Sequence, residues 1–538
     1  MNWSDLVLRR LTQAPDPGAA TREPHVEPLR ALSWRADLPA ALIVFLVAVP
    51  LCLGIALASG APLFAGIISG MVGGVVVGAL SGSPLMISGP AAGLAAIAAS
   101  AIDTLGTFEA FLAVVVVAGL LQLLLAAARV GIVGYYFPSS VVRGLLTAIG
   151  VILVLKQVPH ALGYDVDFEG DEAFVQANAE NTFTAILNAL SRIEPAAVIL
   201  SVTGLLVLVL WERAPRHLRG VPGALVAVLL GVVGQLLLPL VDARLQLGPE
   251  HLVALPIPES AGALAAMFAT PDWSALRRLD AWRIAVTLGL VASLETLITL
   301  EATDKLDRFK REAPANRELA AQGFGNVVAG LIGGLPVSGV LVRSAANVEA
   351  GAKTKMAAVI HGFLLAVAVF LTPGVLNHIP FASLAAVLIY TGIHLVQPAT
   401  FRHMWMQGPV RFVPFAVTVV AILLTDLLIG IIVGLLVGFL FIVIDQLRYP
   451  CFSRVSAAGS VLTRIRLHDQ VTFLNKGTLA RFLEDLPPRS RIEIDGSACH
   501  HIDYDVLEYI SDFRQTAALR EIDVRTVGIT LPPVSPSH

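Results

Sequence analysis

Apolar and polar positions alternate along this chain in long blocks, not in short periods. Apolar stretches fall near 37–58, 62–80, 86–101, 108–128, 137–157, 194–212 and 221–241. A second set falls near 282–303, 317–333, 338–350, 354–372, 381–397, 411–427 and 429–446. About 20 apolar residues cross a hydrocarbon core, so most of these predict membrane-spanning helices. The third stretch of each set is different. Leu85 to Leu94 and Leu335 to Asn347 are too short to span, and each carries an apolar-Ser-Gly step, Ile87-Ser88-Gly89 and Val337-Ser338-Gly339. A half-length helix at membrane depth is tolerated only where it lines a cavity. Its free N-terminal N–H groups and its dipole then offer an anion site. Paired interrupted segments in corresponding halves point to the binding site of a secondary transporter. Seven segments per set is an odd number, so the second set is inverted relative to the first. The pattern predicts an α-helical polytopic membrane protein of fourteen segments in two inverted repeats of seven.

The pattern changes after Arg448. Residues 455–530 carry charge and short apolar runs. Val461–Arg466, Val471–Leu474, Arg491–Asp495 and Ile522–Ile529 read as strands, and Thr478–Leu486 and Asp503–Phe513 as helices. In the last of these, Val506, Leu507, Ile510 and Phe513 share one face. Strands alternating with helices predict a small α/β domain. The division is therefore a polar leader over 1–36, a transmembrane domain over 37–447, the α/β domain over 455–530 and a loose proline-rich tail over 531–538. The leader has no apolar core ahead of a cleavage site, so no removable signal peptide is expected.

Composition supports the membrane reading. The 538 residues are 56% hydrophobic and 14% charged, against about 25% charged for soluble proteins. The net charge of -3 says nothing about partners, because few charges are spread over many loops; a nucleic-acid partner is not expected, because there is no basic patch. Charge placement gives orientation. Arg213, Arg216 and Arg219, then Lys305, Arg308, Lys310, Arg311 and Arg317, then Lys353 and Lys355, and Arg402 and Arg411 fall on one side. That side is cytoplasmic by the positive-inside rule, which puts both termini inside. No nucleophile elbow, zinc-protease motif or phosphate-binding loop is present, so no enzymatic activity is expected. Cys499-His500-His501 point to alternate faces and do not predict a metal site.

Two ionisable residues at membrane depth carry the candidate chemistry. Arg343 lies in the second half-length segment, where a cation beside helix N–H groups suits an oxyanion. The bland alternative is a contact with headgroups or with an acid. Glu295 lies deep in segment eight, with Thr299 one turn on. It could carry a proton, help hold Na⁺, or pair with Arg343. Arg143 and Lys156, near the ends of segment five, are expected to snorkel, and Asp426 to sit in a turn. Gly66, Gly70, Gly74 and Gly78, and Gly430, Gly434 and Gly438, predict close helix packing inside the molecule.

These residues also resemble a family. Asp37-Leu38-Pro39, Val49 to Gly54, Ile87 to Pro90, Asn316 to Asn326, Gly333 to Gly339 and Arg343 to Asn347 are similar to the SulP (solute carrier 26) anion transporters. Residues 455–530 resemble their cytoplasmic STAS domain. The resemblance implies a core domain (segments one to four and eight to eleven) and a gate domain (five to seven and twelve to fourteen). It implies elevator-like transport of an inorganic anion by a homodimer in a bacterial inner membrane. The anion site would use Gly89, Pro90, Ala91 and Ala92, and Ser338, Gly339, Val340, Leu341 and Val342, with Leu51 and Ile55 from segment one and Arg343 nearby. Glu295 and Thr299 match the coupling-ion position. In the bicarbonate branch that position is an aspartate in a sodium site; glutamate here favours a proton. No cofactor is implied apart from Na⁺ as a coupling ion. Bicarbonate is the first expectation and sulfate the second. The segment-one motif and the 305–310 loop look like a branch linked to carbonic anhydrases. The STAS-like segment has Tyr504 after Asp503 where bacterial relatives carry a phosphorylatable serine, so a dimerisation or regulatory role is expected of it.

Overall fold

A computed structural model describes residues 34–167, 173–176, 180–211, 222–254, 267–371, 373–448, 451–454 and 462–532, together with 213 and 262. The arginine-rich leader and most of the proline-rich tail lie outside these residues.

All fourteen apolar stretches are built on helices. They are α1 (Trp34–Ala58), α2 (Leu63–Leu80), α3 (Ala92–Leu105), α4 (Phe108–Ala127) and α5 (Ser139–Leu162). After a short α6 (Thr182–Ser191) come α7 (Pro195–Trp211) and α8 (Gly223–Val241). The second set is α9 (Leu279–Leu306), α10 (Ala315–Ile332), α11 (Leu341–Glu349), α12 (Met356–Leu371) and α13 (Phe381–Leu395). A short α14 (Pro398–Met406) then leads to α15 (Pro409–Leu424) and α16 (Leu427–Arg448). Among the described residues eight spans are long and apolar enough to cross a membrane, one of them α13 taken together with α14, or nine if the pair α6 and α7, bent by 115°, is one span. The others are short or carry buried polar groups.

The helices pack as two bundles. One holds α1 to α4 and α9 to α12, with α10 against α4 and α12 against α1 and α2. The other holds α5 to α8, α13, α15 and α16, with α5 against α13 and α15. The glycine rows explain how close these helices come. Gly66 and Gly70 lie against Cys52, Gly74 against Gly362, and Gly434 against Thr418, so these rows are internal contacts.

The two interrupted stretches differ from single helices. Each begins as a strand, β1 (Ser88–Pro90) and β2 (Val337–Gly339). They pair antiparallel, Ser88 opposite Gly339 and Pro90 opposite Val337. Such short strands carry no periodicity to read, and their pairing joins residues about 250 positions apart. Helix α2 is wound as a π-helix over Val72–Val77 where it passes β1. A Cβ at Gly73 would overlap the Ser88 carbonyl, so only glycine allows the approach.

The α/β domain begins earlier than 455. Its sheet order is β3 (Phe452–Arg454), β4 (Leu462–Leu467), β5 (Arg491–Asp495) and β6 (Asp523–Val527), parallel except for β3. Helices α17 (Lys476–Glu484) and α18 (Tyr504–Ala518) cover it. The strand expected over Val471–Leu474 stops at Val471. Thr472 and Asn475 form a capping box that turns the chain into a 3-10 helix, Phe473–Asn475. The domain has its own core, with Ile465, Ile492, Ile494, Val506 and Ile510 fully buried.

One further reading is corrected and one holds. Lys156 does not snorkel; it is buried and pairs with Asp167 at 3.4 Å. Asp426 does sit at a turn, where it accepts the Ile429 N–H at 2.8 Å.

Candidate anion and coupling site

The β1–β2 pair sets two helix N-termini beside each other. Ala91 caps α3 and Val340 caps α11, both with extended backbone and neither helix with a side-chain cap. The first N–H groups of a helix have no intrahelical partner. Those around Ala92 and Leu341 are thus available to an anion, and both dipoles point their positive ends at the same place. The Val340 N–H bonds the Ile87 carbonyl at 2.9 Å, which fixes the second N-terminus against the first stretch.

Polar side chains hold this arrangement from behind. Asn326 donates to the Val337 carbonyl at 2.8 Å, accepts the Val337 N–H at 2.5 Å and reaches Gln122 at 2.7 Å. Gln322 donates to Ser88 Oγ at 2.6 Å. Ser344 Oγ accepts the Ile87 N–H at 2.9 Å, and Asn347 donates to the Leu85 carbonyl at 2.8 Å. Two strands of three residues each cannot satisfy their own backbone in a dry interior. The sequence reading did not single out Gln322, Asn326, Ser344 or Asn347 as site residues. The available signal was their spacing: Glu318, Gln322 and Asn326 recur every fourth residue in an apolar helix, on one face.

The structure brings Glu295 and Thr299 to β2. Ser338 Oγ donates to Glu295 Oε2 at 2.9 Å, and Thr299 Oγ1 donates to the Gly339 carbonyl at 3.1 Å. Gly93, in the first turn of α3, faces the same carboxyl; a Cβ there would lie 3.0 Å from Glu295 Oε1. A cavity of about 10 Å³ adjoins this group, lined by Gly93, Glu295, Thr299 and Leu341 from one bundle and Leu145, Leu427 and Ile431 from the other. That is room for about one water.

Arg343 is fully buried, and none of its guanidinium nitrogens has a hydrogen-bond partner among the described residues. It does not form the hydrogen-bonded pair with Glu295 weighed above. Its guanidinium lies against Gly89, where a Cβ would overlap Nη1, and beside the Cys52 thiol. The charge therefore stands behind β1 and does not line the cavity. The buried His361 ring is also near it, beside the Ala358 backbone. Cys52 and His361 were not recognised as neighbours of the site, because no sequence spacing joins α1, α11 and α12.

The remaining candidates fall around the two N-termini. Ile55 packs in one apolar cluster with Ala91, Leu94 and Val340. Leu51 packs in another with Leu341 and Val342. Pro90 and Ala92 are carried by β1 and the first turn of α3. The cluster Cys499, His500 and His501 stands apart in the α/β domain; His500 bonds Asp469 there.

Comparison with known proteins gives the family and the fold. The profile of the sulfate permease family matches residues 34–418. The chain is 26% identical over 417 residues to the Bacillus subtilis putative sulfate transporter YvdB, covering 76% of this chain and 74% of that one. It is 26% identical over 373 residues to the Picosynechococcus bicarbonate transporter BicA, covering 67% of this chain and 62% of that one. In fold it resembles SLC26A9, with a TM-score of 0.64 at 16% identity, covering 92% of this chain and 84% of that chain. It also resembles the transmembrane domain of a cyanobacterial BicA, with a TM-score of 0.51 at 22% identity, covering 75% of this chain and 97% of that one. On the profile match, which covers well over half of its length, the chain belongs to the sulfate permease family, a family of membrane anion transporters.

Proposed function

We propose that this chain is a secondary active transporter of a small inorganic anion, bicarbonate before sulfate, driven by Na⁺ or H⁺. The observation that carries the reading is the convergence at β1 and β2. Two uncapped helix N-termini and a buried unpaired guanidinium supply positive potential, and a buried carboxyl is hydrogen-bonded to the same strand. The anion would bind the N–H groups around Ala92 and Leu341, with Arg343 acting through β1. Glu295 would carry the coupling ion, with Thr299 beside it. A change in the charge or hydrogen bonding of Glu295 reaches the anion through Ser338, in a single strand.

The two bundles would act as core and gate, the core sliding as an elevator past α5 and α16. The proposed setting is a bacterial inner membrane with both ends of the chain in the cytoplasm, a topology that the positive-inside rule favours. A homodimer is the proposed assembly. Carbonic anhydrase would be a functional partner only if bicarbonate is the cargo. Sulfate remains the second reading, favoured by the relative named a putative sulfate transporter. Ser88 and Ser338 are both engaged in protein hydrogen bonds, so the site recognises charge more than shape.

The test is uptake of labelled bicarbonate and sulfate into proteoliposomes under an inward Na⁺ gradient, an inward H⁺ gradient, or none. Bicarbonate uptake that needs a cation gradient supports the reading. Proton-driven sulfate uptake without bicarbonate flux replaces it with the second. Equal flux under all three conditions removes coupling.

A further inference from the structure

A cleft of about 660 Å³ opens at the basic end of the molecule, between the two bundles. Arg143 lines it from α5; Lys305, Arg308 and Lys310 line it from the end of α9 and the loop beyond. Glu349 is the one carboxylate among its lining residues. Lys305 is paired with Glu301 one turn back in α9, so four cations against two carboxylates leave an excess of two positive charges, carried by Arg143 on one bundle and Arg308 and Lys310 on the other. A single small oxyanion fills little of this space and cannot reach the cations of both bundles at once.

The loop that presents two of these cations is built, not loose. Asp307 is buried and accepts the N–H groups of Phe309 at 2.9 Å and Arg311 at 3.2 Å, and pairs with Arg311 Nε at 2.6 Å. Its carboxyl is held below the usual range: burial opposes this, but the bonds from Arg311 and from the Phe309 N–H outweigh it. Arg311 is thereby turned away, over the Phe309 ring at 5.1 Å. Lys310 is left with a φ of 52°, a left-handed conformation that a lysine adopts only when its surroundings impose it. Arginine and lysine on two bundles suit the spaced oxygens of a phosphate chain.

We propose that this cleft binds a compact polyphosphate anion, of the size of inorganic triphosphate, bridging Arg143 of one bundle to Arg308 and Lys310 of the other. The bridge can form only while the cleft is open. Such a ligand therefore favours that conformation and opposes transport. The consequence for transport rests on the reading that the bundles move; the binding itself does not.

The test is calorimetric titration of the purified full chain in detergent with sodium triphosphate, at fixed ionic strength near ~0.15 M. Inorganic sulfate is titrated in parallel. Arg308→Gln with Lys310→Gln should weaken triphosphate by about tenfold or more, and Arg143→Gln by several-fold, while sulfate changes less. Arg481→Gln, in α17 of the α/β domain, should leave triphosphate binding as it was. Unchanged melting temperatures of the ligand-free variants establish that the fold is intact. Absence of triphosphate binding at this salt overturns the site, as does equal loss from Arg481→Gln. Sulfate and triphosphate weakening in the same proportion reduces the cleft to a funnel for the cargo. None of these outcomes depends on flux, so they are separable from failure of the transport reading.

Discussion

Arg343 is a guanidinium sealed inside a bundle with no carboxylate on it among the described residues. Breaking a buried ion pair is costly because it strands a charge, whereas removing a charge that has no partner relieves the protein. Arg343→Met should therefore leave the melting temperature unchanged or raise it, while weakening anion binding by about tenfold or more. Anion affinity and thermal unfolding of the same variant check this. A loss of both together would make the arginine a structural residue. Glu295→Gln separates charge from shape in the same way. The amide can still accept from Ser338, so folding should persist while cation-driven uptake is lost. Gradient-driven uptake at the parental rate would remove Glu295 from the coupling role.

The strand pair β1–β2 is the element on which the site depends, and Asn326 is its main brace. Asn326→Ala leaves both polar groups of Val337 and the Gln122 amide without a partner. An unsatisfied buried group costs about 1–3 kcal/mol, so unfolding in mild detergent should occur at clearly lower temperature. At the other end of the molecule, Asp165 ties α5 to a distant loop, bonding His160 at 2.5 Å and His251 at 2.6 Å. The Asp165 bond raises His251 above its ordinary 6.5. That contribution is complete below 6.5 and is lost as pH rises through the raised value. Burial pushes Asp165 upward, but the two histidine bonds outweigh it and hold it below 3.8. That contribution is present above 3.8 and is lost as pH falls through the lowered value. The clamp should therefore be tightest in mildly acidic solution. Hydrogen exchange at 163–167 and 249–253, corrected for intrinsic rates, should be slower near pH 6 than near pH 8, and Asp165→Asn should abolish the difference.

The whole molecule has two bundles that meet across a cavity of about 10 Å³ at Glu295 and a cleft of about 660 Å³ at the basic end. If one bundle slides on the other, fixing them together stops transport. Leu145→Cys with Leu341→Cys places one thiol on each side of the small cavity. In a chain with Cys451 and Cys499 replaced by serine, a short bifunctional maleimide should bring uptake to background, and neither single variant should respond. Continued uptake in the cross-linked protein would rule out relative movement at this point.

The sequence by itself determined which segments enter the membrane, that two of them are interrupted, and that Arg343 and Glu295 stand out as charges. These are properties of local hydropathy, since each segment must satisfy lipid or a neighbour on its own account. All fourteen apolar stretches carry a helix for that reason, two of them behind a three-residue strand. The Asn316 to Asn326 motif was legible as a family mark, but its work was not, because Asn326 acts on a strand eleven residues away that only folding brings back. Tertiary structure alone decided that the interrupted stretches pair as strands, that Glu295 bonds Ser338, and that Arg343 turns behind β1 toward Cys52. It also ended the strand expected at Val471–Leu474 and buried Lys156 against Asp167. Each of these depends on which distant group is within reach when a polar atom must be satisfied away from water, and no local pattern records that.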